Sequence, residues 1–227
     1  MLHDLFRLIF PELCCHCGEA LVGSERHLCT TCLSKIPWTN NASIPNNGTE
    51  TRLIGRIPLQ AGASLMMFQK GNVTQSIIHQ IKYRGSTHMA RQYGLILGKK
   101  LMESGRFNNI DYIVPVPLHW WRKLRRGFNQ SQLIAKAISE AMHVPLSASN
   151  LYRHRYTPSQ THKTRQQRTD NVASAFRLRH PDQYTGKHIL LIDDVITTGA
   201  TTEACYHALQ SATDIRVSIA SLALVAQ

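Results

Sequence analysis

Asp193 and Asp194 stand side by side, directly after the apolar residues Ile189, Leu190, Leu191 and Ile192 and close before a turn rich in hydroxyls and glycine. The apolar run reads as a buried parallel strand, because both faces of such a strand are covered. Open α/β sheets place ligands beyond the carboxyl ends of their strands, where this acid pair falls. Thr197, Thr198, Gly199, Ala200 and Thr201 make the turn, and a helical stretch follows over residues 202–209. Backbone N–H groups in a tight turn that opens a helix form an anion site, and the three threonine hydroxyls add donors. Gly199 lets the backbone approach the anion closely. Carboxylates beside such a turn suit a phosphorylated sugar, with phosphate on the turn and ribose hydroxyls on the acids. The plainer alternative is a structural turn with two solvated acids.

A second constellation lies at the other end of the chain. Cys14-x-x-Cys17 and Cys29-x-x-Cys32 are two pairs separated by eleven residues. Each pair can bite one metal from a tight turn, and four thiolates so arranged suit a closed tetrahedral zinc site. Redox chemistry and an iron–sulfur cluster are the alternatives. Cys15, His16 and His27 are spare ligands, with Cys15 the nearest substitute. A unit this small has only Leu13, Leu28, Leu33, Ile36 and Trp38 for a core, so metal binding would supply its folding energy. Residues 1–38 hold three Lys/Arg and four acids. That balance disfavours DNA binding by the finger alone and favours docking a partner or bracing the rest of the chain.

Charge is concentrated between the two. The 227 residues carry 26 Lys/Arg against 14 Asp/Glu, a formal +12, and residues 119–168 hold ten Lys/Arg and one acid, Glu140. Such a stretch attracts phosphates, of a small ligand or of nucleic acid, unless it is only a solvated face. Trp120 and Trp121 sit inside it beside Arg122, Lys123, Arg125 and Arg126, and either ring could stack a base or fill the core. Lys163, Arg165 and Arg168 lie in a polar loop. No apolar run reaches the roughly 20 residues of a membrane helix, and no secretory signal is evident, which predicts a cytoplasmic protein without membrane insertion.

These residues need a scaffold. The sequence predicts strands over 61–68, 111–114, 151–156, 175–178, 189–192 and 215–225, and helices over 73–83, 87–102 and 133–141, the last capped by Asn129. Strands alternating with helices make an α/β fold, a mostly parallel sheet with helices on both faces. Residues 39–55, polar and aperiodic, read as a linker between a 1–38 finger and a 56–227 domain.

The run 189–201 resembles the phosphoribosyl-pyrophosphate (PRPP) motif of type I phosphoribosyltransferases at every position. By that resemblance the 56–227 domain is type I phosphoribosyltransferase-like, Asp193 and Asp194 hold the ribose with Mg²⁺ nearby, and residues 197–201 cradle the 5-phosphate. Val116, Pro117, Leu118 and Arg126 match the pyrophosphate loop, and Lys163, Arg165 and Arg168 a hood that closes over PRPP. Transferases for 6-oxopurines have an acid where Thr197 stands, so purine salvage of that type is disfavoured and the acceptor stays open.

Further segments occur in order: Lys70-Gly71-Asn72, His79-Gln80-Ile81-Lys82-Tyr83-Arg84-Gly85, Pro115-Val116-Pro117-Leu118, Arg125-Arg126-Gly127-Phe128-Asn129-Gln130 and Gln160…Arg168…Asn171-Val172…Ala175-Phe176. With the N-terminal four-cysteine finger, the chain resembles the ComF family of competence-associated phosphoribosyltransferase-like proteins. That resemblance implies handling of incoming single-stranded DNA in natural transformation. Three functions therefore compete. They are a PRPP-binding protein whose basic face holds single-stranded DNA, an active phosphoribosyltransferase acting on a nitrogen acceptor, and a zinc-dependent scaffold for helicase or recombination partners.

Overall fold

The computed structural model describes residues 11–118, 127–154 and 175–226. Its centre is a four-stranded sheet of order β1-β6-β5-β2, with every pairing parallel. The strands are β1 (Gly62–Phe68), β2 (Tyr112–Pro115), β5 (His188–Ile196) and β6 (Arg216–Val225). Each follows an apolar run of the sequence. The runs are continuous because helices cover one face and helix plus ribbon the other. The ribbon is β3 (Leu151–Arg153) paired antiparallel with β4 (Phe176–Leu178), outside the main sheet.

On the first face lie α3 (Val73–Tyr83), α4 (Thr87–Glu103) and α5 (Gln130–Met142), whose Ile77, Ile81, Leu97, Ile134 and Ile138 pack with Leu190 and Ile192 of β5. Side-chain caps start all three. Asn72 accepts from Gln75 N–H, Ser86 from Met89 N–H and Asn129 from Ser131 N–H. The other face carries α6 (Ala200–Leu209), with Ala204, Cys205 and Leu209 against Ile189 and Leu191. The helix that follows β2 and the helix that follows β5 thus pack on opposite faces. Their strands are neighbours, so a crevice opens between the two carboxyl ends.

The four-cysteine unit has α1 (Thr30–Ser34) and shares the first-face core through Cys14, Leu28, Cys32 and Ile36. The sequence suggested a private core, and here the structure differs. Leu13, Leu33 and Trp38 are exposed, because so small a unit buries its apolar side on the sheet domain instead. Thr39 N–H donates to Leu65 O and Met67 N–H to Pro37 O, which stitches the exit of the unit onto β1.

Residues 39–55, expected as a linker, include α2 (Gly48–Thr51) and are anchored by the buried Ala42, Asn47, Thr49 and Leu53. Asn47 is buried. Its Nδ2 donates to Asn41 O, Ile44 O and Gly62 O, and its Oδ1 accepts from Thr49 and Glu50 N–H. Leu53 is fully buried in the second-face core. Polar composition here marks a buried hydrogen-bond network, which has no hydrophobic period to detect. Among the described residues no helix is long and apolar enough to cross a membrane.

Candidate functional site

The acid pair sits where β5 loses one neighbour. Pro115 of β2 faces Ile192, Val116 N–H donates to Ile192 O at 2.8 Å, and β2 has then ended. On the β6 side pairing continues, with Asp193 opposite Ser221 and Ile196 opposite Leu224. The strand was expected to end at the acids. It runs two residues further, paired with β6 on that one side, so both carboxylates sit on a strand beside the end of β2.

Three elements converge on them. Ser131, at the start of α5, donates its hydroxyl to Asp193 Oδ1 at 3.3 Å, and Asp194 N–H donates to the same oxygen at 2.8 Å. Lys82, near the end of α3, places Nζ 3.2 Å from Asp194 Oδ2. Asn129 fixes the approach of α5 by donating Nδ2 to Val116 O at 3.1 Å. Burial, then the adjacent Asp194 charge, push the Asp193 carboxyl up to about 7, and the Ser131, Asp194 N–H and Lys82 interactions only partly offset this.

Beyond Ile196 the chain makes the expected turn. Thr197, Thr198 and Thr201 are exposed, and Gly199 is buried at φ 81°, the left-handed region that favours glycine. A Cβ at Gly199 would meet Leu53 Cδ2 at 2.6 Å, so a side chain is excluded by space as well as by backbone. Ala200 opens α6, and its N–H donates to Thr198 Oγ1 at 3.4 Å. Behind the turn, Arg52 donates to Thr197 O and, at 2.8 Å, to Val225 O. Arg56 donates to Thr198 O and pairs with Glu203 in the first turn of α6.

Val116 is buried in the second-face core, so that it could meet a ligand only through its backbone, while Pro117 and Leu118 are half-buried beside it. Trp120, Trp121, Arg122, Lys123, Arg125, Arg126, Lys163, Arg165 and Arg168 lie outside the described residues. Sequence reasoning missed Lys82, Ser131, Arg52, Leu53 and Arg56. The only advance signal was that Lys82 falls in the segment 79–85 quoted for the family resemblance.

At the other end, the sulfurs of Cys14, Cys17, Cys29 and Cys32 all lie within 4.8 Å of one another. Cys17 Sγ and Cys29 Sγ are 3.7 Å apart, and Cys29 N–H donates to Cys14 Sγ at 3.4 Å. Two sulfurs on one tetrahedral zinc, each about 2.3 Å from it, stand roughly 3.8 Å apart, which this spacing fits. Cys15 stays out of the cluster, its thiol pushed up to about 11 by burial first and by Cys14 second. Cys14 is lowered to about 6: burial opposes this, but N–H donors from Cys17, Cys29 and His16 outweigh it.

No protein-family model matches the chain. Among curated proteins it is 31% identical over 204 residues to DNA utilization protein YhgH of Escherichia coli K12, spanning 86% of this chain and 88% of that one. Competence protein F of Haemophilus influenzae is 28% identical over 196 residues, 85% of this chain and 75% of its own. Competence protein ComFC of Bacillus subtilis is 24% identical over 198 residues, 84% of this chain and 74% of its own. The chain belongs to the ComF family. Solved structures with partial likeness to this ComF-family chain include an allosteric regulatory enzyme of purine biosynthesis, with a TM-score of 0.41, 21% identity and coverage of 63% of this chain and 30% of that one. A purine phosphoribosyltransferase from Pyrococcus horikoshii has a TM-score of 0.40 and 20% identity, over 60% of this chain and 73% of that one.

The raised acid has a consequence for stability. Its folded value, about 7, lies above its ordinary 3.8, so the stability it contributes is fully present below pH 4 and is lost as pH rises to about 7. Asp193→Asn removes that loss while keeping an acceptor for Ser131. The variant should melt about 3 °C or more above the parent at pH 8, with a smaller gain at pH 5, in paired thermal scans. An equal difference at both pH values would contradict the assignment.

Proposed function

We propose that this protein binds PRPP with Mg²⁺ in the β2–β5 crevice, and that it serves DNA uptake through contact with single-stranded DNA. The observation that carries the reading is the acid pair held on a rigid strand beside a braced, glycine-containing turn that opens a helix. Asp193 and Asp194 would accept the ribose hydroxyls, and the N–H groups and hydroxyls of residues 197–201 would bind the 5-phosphate. Two carboxylates side by side also fit a hard divalent cation, which supplies charge neutralisation for the pyrophosphate when bound. In the protein without ligand, Lys82 does part of that neutralising at Asp194. The names of the relatives, DNA utilization and competence proteins, together with ten Lys/Arg in residues 119–168, support the DNA part. The four cysteines would hold a structural zinc, with Cys14, Cys17, Cys29 and Cys32 as thiolate ligands. Burial first, and then the neighbouring sulfurs, push the Cys32 thiol up. At Cys17 the Glu19 N–H donor is outweighed by burial together with the Cys14 and Cys29 sulfurs, so a bound cation would favour the thiolate forms at both.

Calorimetry with PRPP and Mg²⁺ tests the ligand. The parent should bind, and Asp193→Asn with Asp194→Asn should lose binding at least a hundredfold, since charge-assisted hydrogen bonds are each worth about 1.5–3 kcal/mol. Unchanged affinity in the double variant would remove the site.

For DNA, anisotropy of a labelled single strand across a salt series should give a log–log slope of roughly −0.7 per phosphate contacted. Changing Arg122, Lys123, Arg125 and Arg126 to Ser should flatten it. Equal slopes would make that patch a solvated face.

Metal analysis should find about one zinc per chain. Cys29→Ser with Cys32→Ser should lose the metal and lower the melting temperature. A metal-free parent would contradict the zinc.

A further inference from the structure

The phosphate turn is held from behind by two arginines that lie more than 140 residues away in the chain. Arg52 takes the Thr197 carbonyl and Arg56 the Thr198 carbonyl, both by guanidinium N–H donation. In a planar trans peptide the C=O of one residue and the N–H of the next point in opposite directions. A guanidinium that captures Thr197 O therefore turns Thr198 N–H to the opposite side of the turn. Capture of Thr198 O does the same for Gly199 N–H. Leu53 packs against Gly199 and fills the space that a Cβ there would need. Arg52 is itself fixed by Val225 O, and Arg56 by Glu203.

The Arg56–Glu203 pair has a second consequence. Glu203 lies in the first turn of α6, where an uncompensated carboxylate would oppose an anion drawn to that helix end. Arg56 pairs with it and so compensates that charge.

Resting on the PRPP reading above, we infer that Arg52 and Arg56 are positioning residues, which aim the N–H groups of the 197–201 turn at the 5-phosphate and shield it from Glu203. They act on the phosphate end of the ligand only, because their contacts are with the turn and not with the acid pair. Loss of either should weaken ligands that carry a 5-phosphate and spare those that do not.

The test is titration of the full chain, in Mg²⁺, with ribose 5-phosphate and separately with inorganic pyrophosphate. Arg52→Gln and Arg56→Met should each bind ribose 5-phosphate roughly tenfold more weakly, the loss of about one good hydrogen-bonded contact. Pyrophosphate affinity should stay within about twofold of the parent. Arg56→Met combined with Glu203→Gln removes both charges of the pair. It should recover part of the loss and still bind more weakly than the parent, the remainder being the aim of the N–H groups. Arg56→Lys keeps the charge and should fall between parent and Arg56→Met, and it serves if the methionine variant does not fold. Parent-like ribose 5-phosphate affinity in the single variants would overturn the inference. So would full recovery in the double variant, which would reduce the role to charge, and so would parallel loss of both ligands with a lower melting temperature, which would reduce it to stability. A parent that binds neither ribose 5-phosphate nor PRPP would remove the PRPP reading itself, and the inference with it.

Discussion

The arrangement depends on keeping two adjacent, largely buried carboxylates together at the end of β5. Like charges side by side in low dielectric repel, and burial penalises each of them. Asp193 shows the cost directly in its raised pKa. What holds the pair is a set of groups from three separate elements: Lys82 from α3, Ser131 from α5 and the backbone of β5. The sheet order makes this convergence happen. With β2 ending beside Ile192, and α5 and α6 leaving on opposite faces, the acids have, among the described residues, no strand partner on the β2 side and a paired strand on the other.

The second constraint is continuity between the ends of the chain. The four-cysteine unit shares its core with α3 and α4, and Trp38 lies 6.2 Å from the Tyr93 ring, centroid to centroid. Its exit joins β1, and the following residues form the Asn47 network. Glu50 then accepts from Gly62 N–H and pairs with Arg106 at 2.5 Å. Arg52, Leu53 and Arg56 come next and brace the turn. The four-cysteine cluster at one end and the turn at the other are thus connected through a hydrogen-bonded segment anchored by the buried Asn47, Thr49 and Leu53.

Much of this was legible in the sequence, for identifiable reasons. The apolar run before Asp193 and the glycine after Thr198 are local signals, and the observed β5 and α6 start within two residues of expectation. The cysteine spacing named the same four sulfurs that converge. Lys82 and the two arginines were not legible as site residues, since nothing in the local pattern says which of 26 cations will meet an acid or a turn more than a hundred residues away. The buried anchors within 39–55 were not legible because asparagine and threonine look alike whether they cap buried turns or face water. The finger core was misread for the opposite reason. Leu13, Leu33 and Trp38 look like core by type but are exposed, while Leu28 and Ile36 of the expected core are buried together with Cys14 and Cys32.

The central claim is that the acid pair and the 197–201 turn together recognise one phosphoribosyl group. A crystal structure of the full chain with PRPP and Mg²⁺ tests it most directly. The account predicts ribose hydroxyls on Asp193 and Asp194, the 5-phosphate within the turn, and Arg52 and Arg56 still on the Thr197 and Thr198 carbonyls. A ligand seated elsewhere, or a phosphate bound by side chains away from the turn, would contradict it.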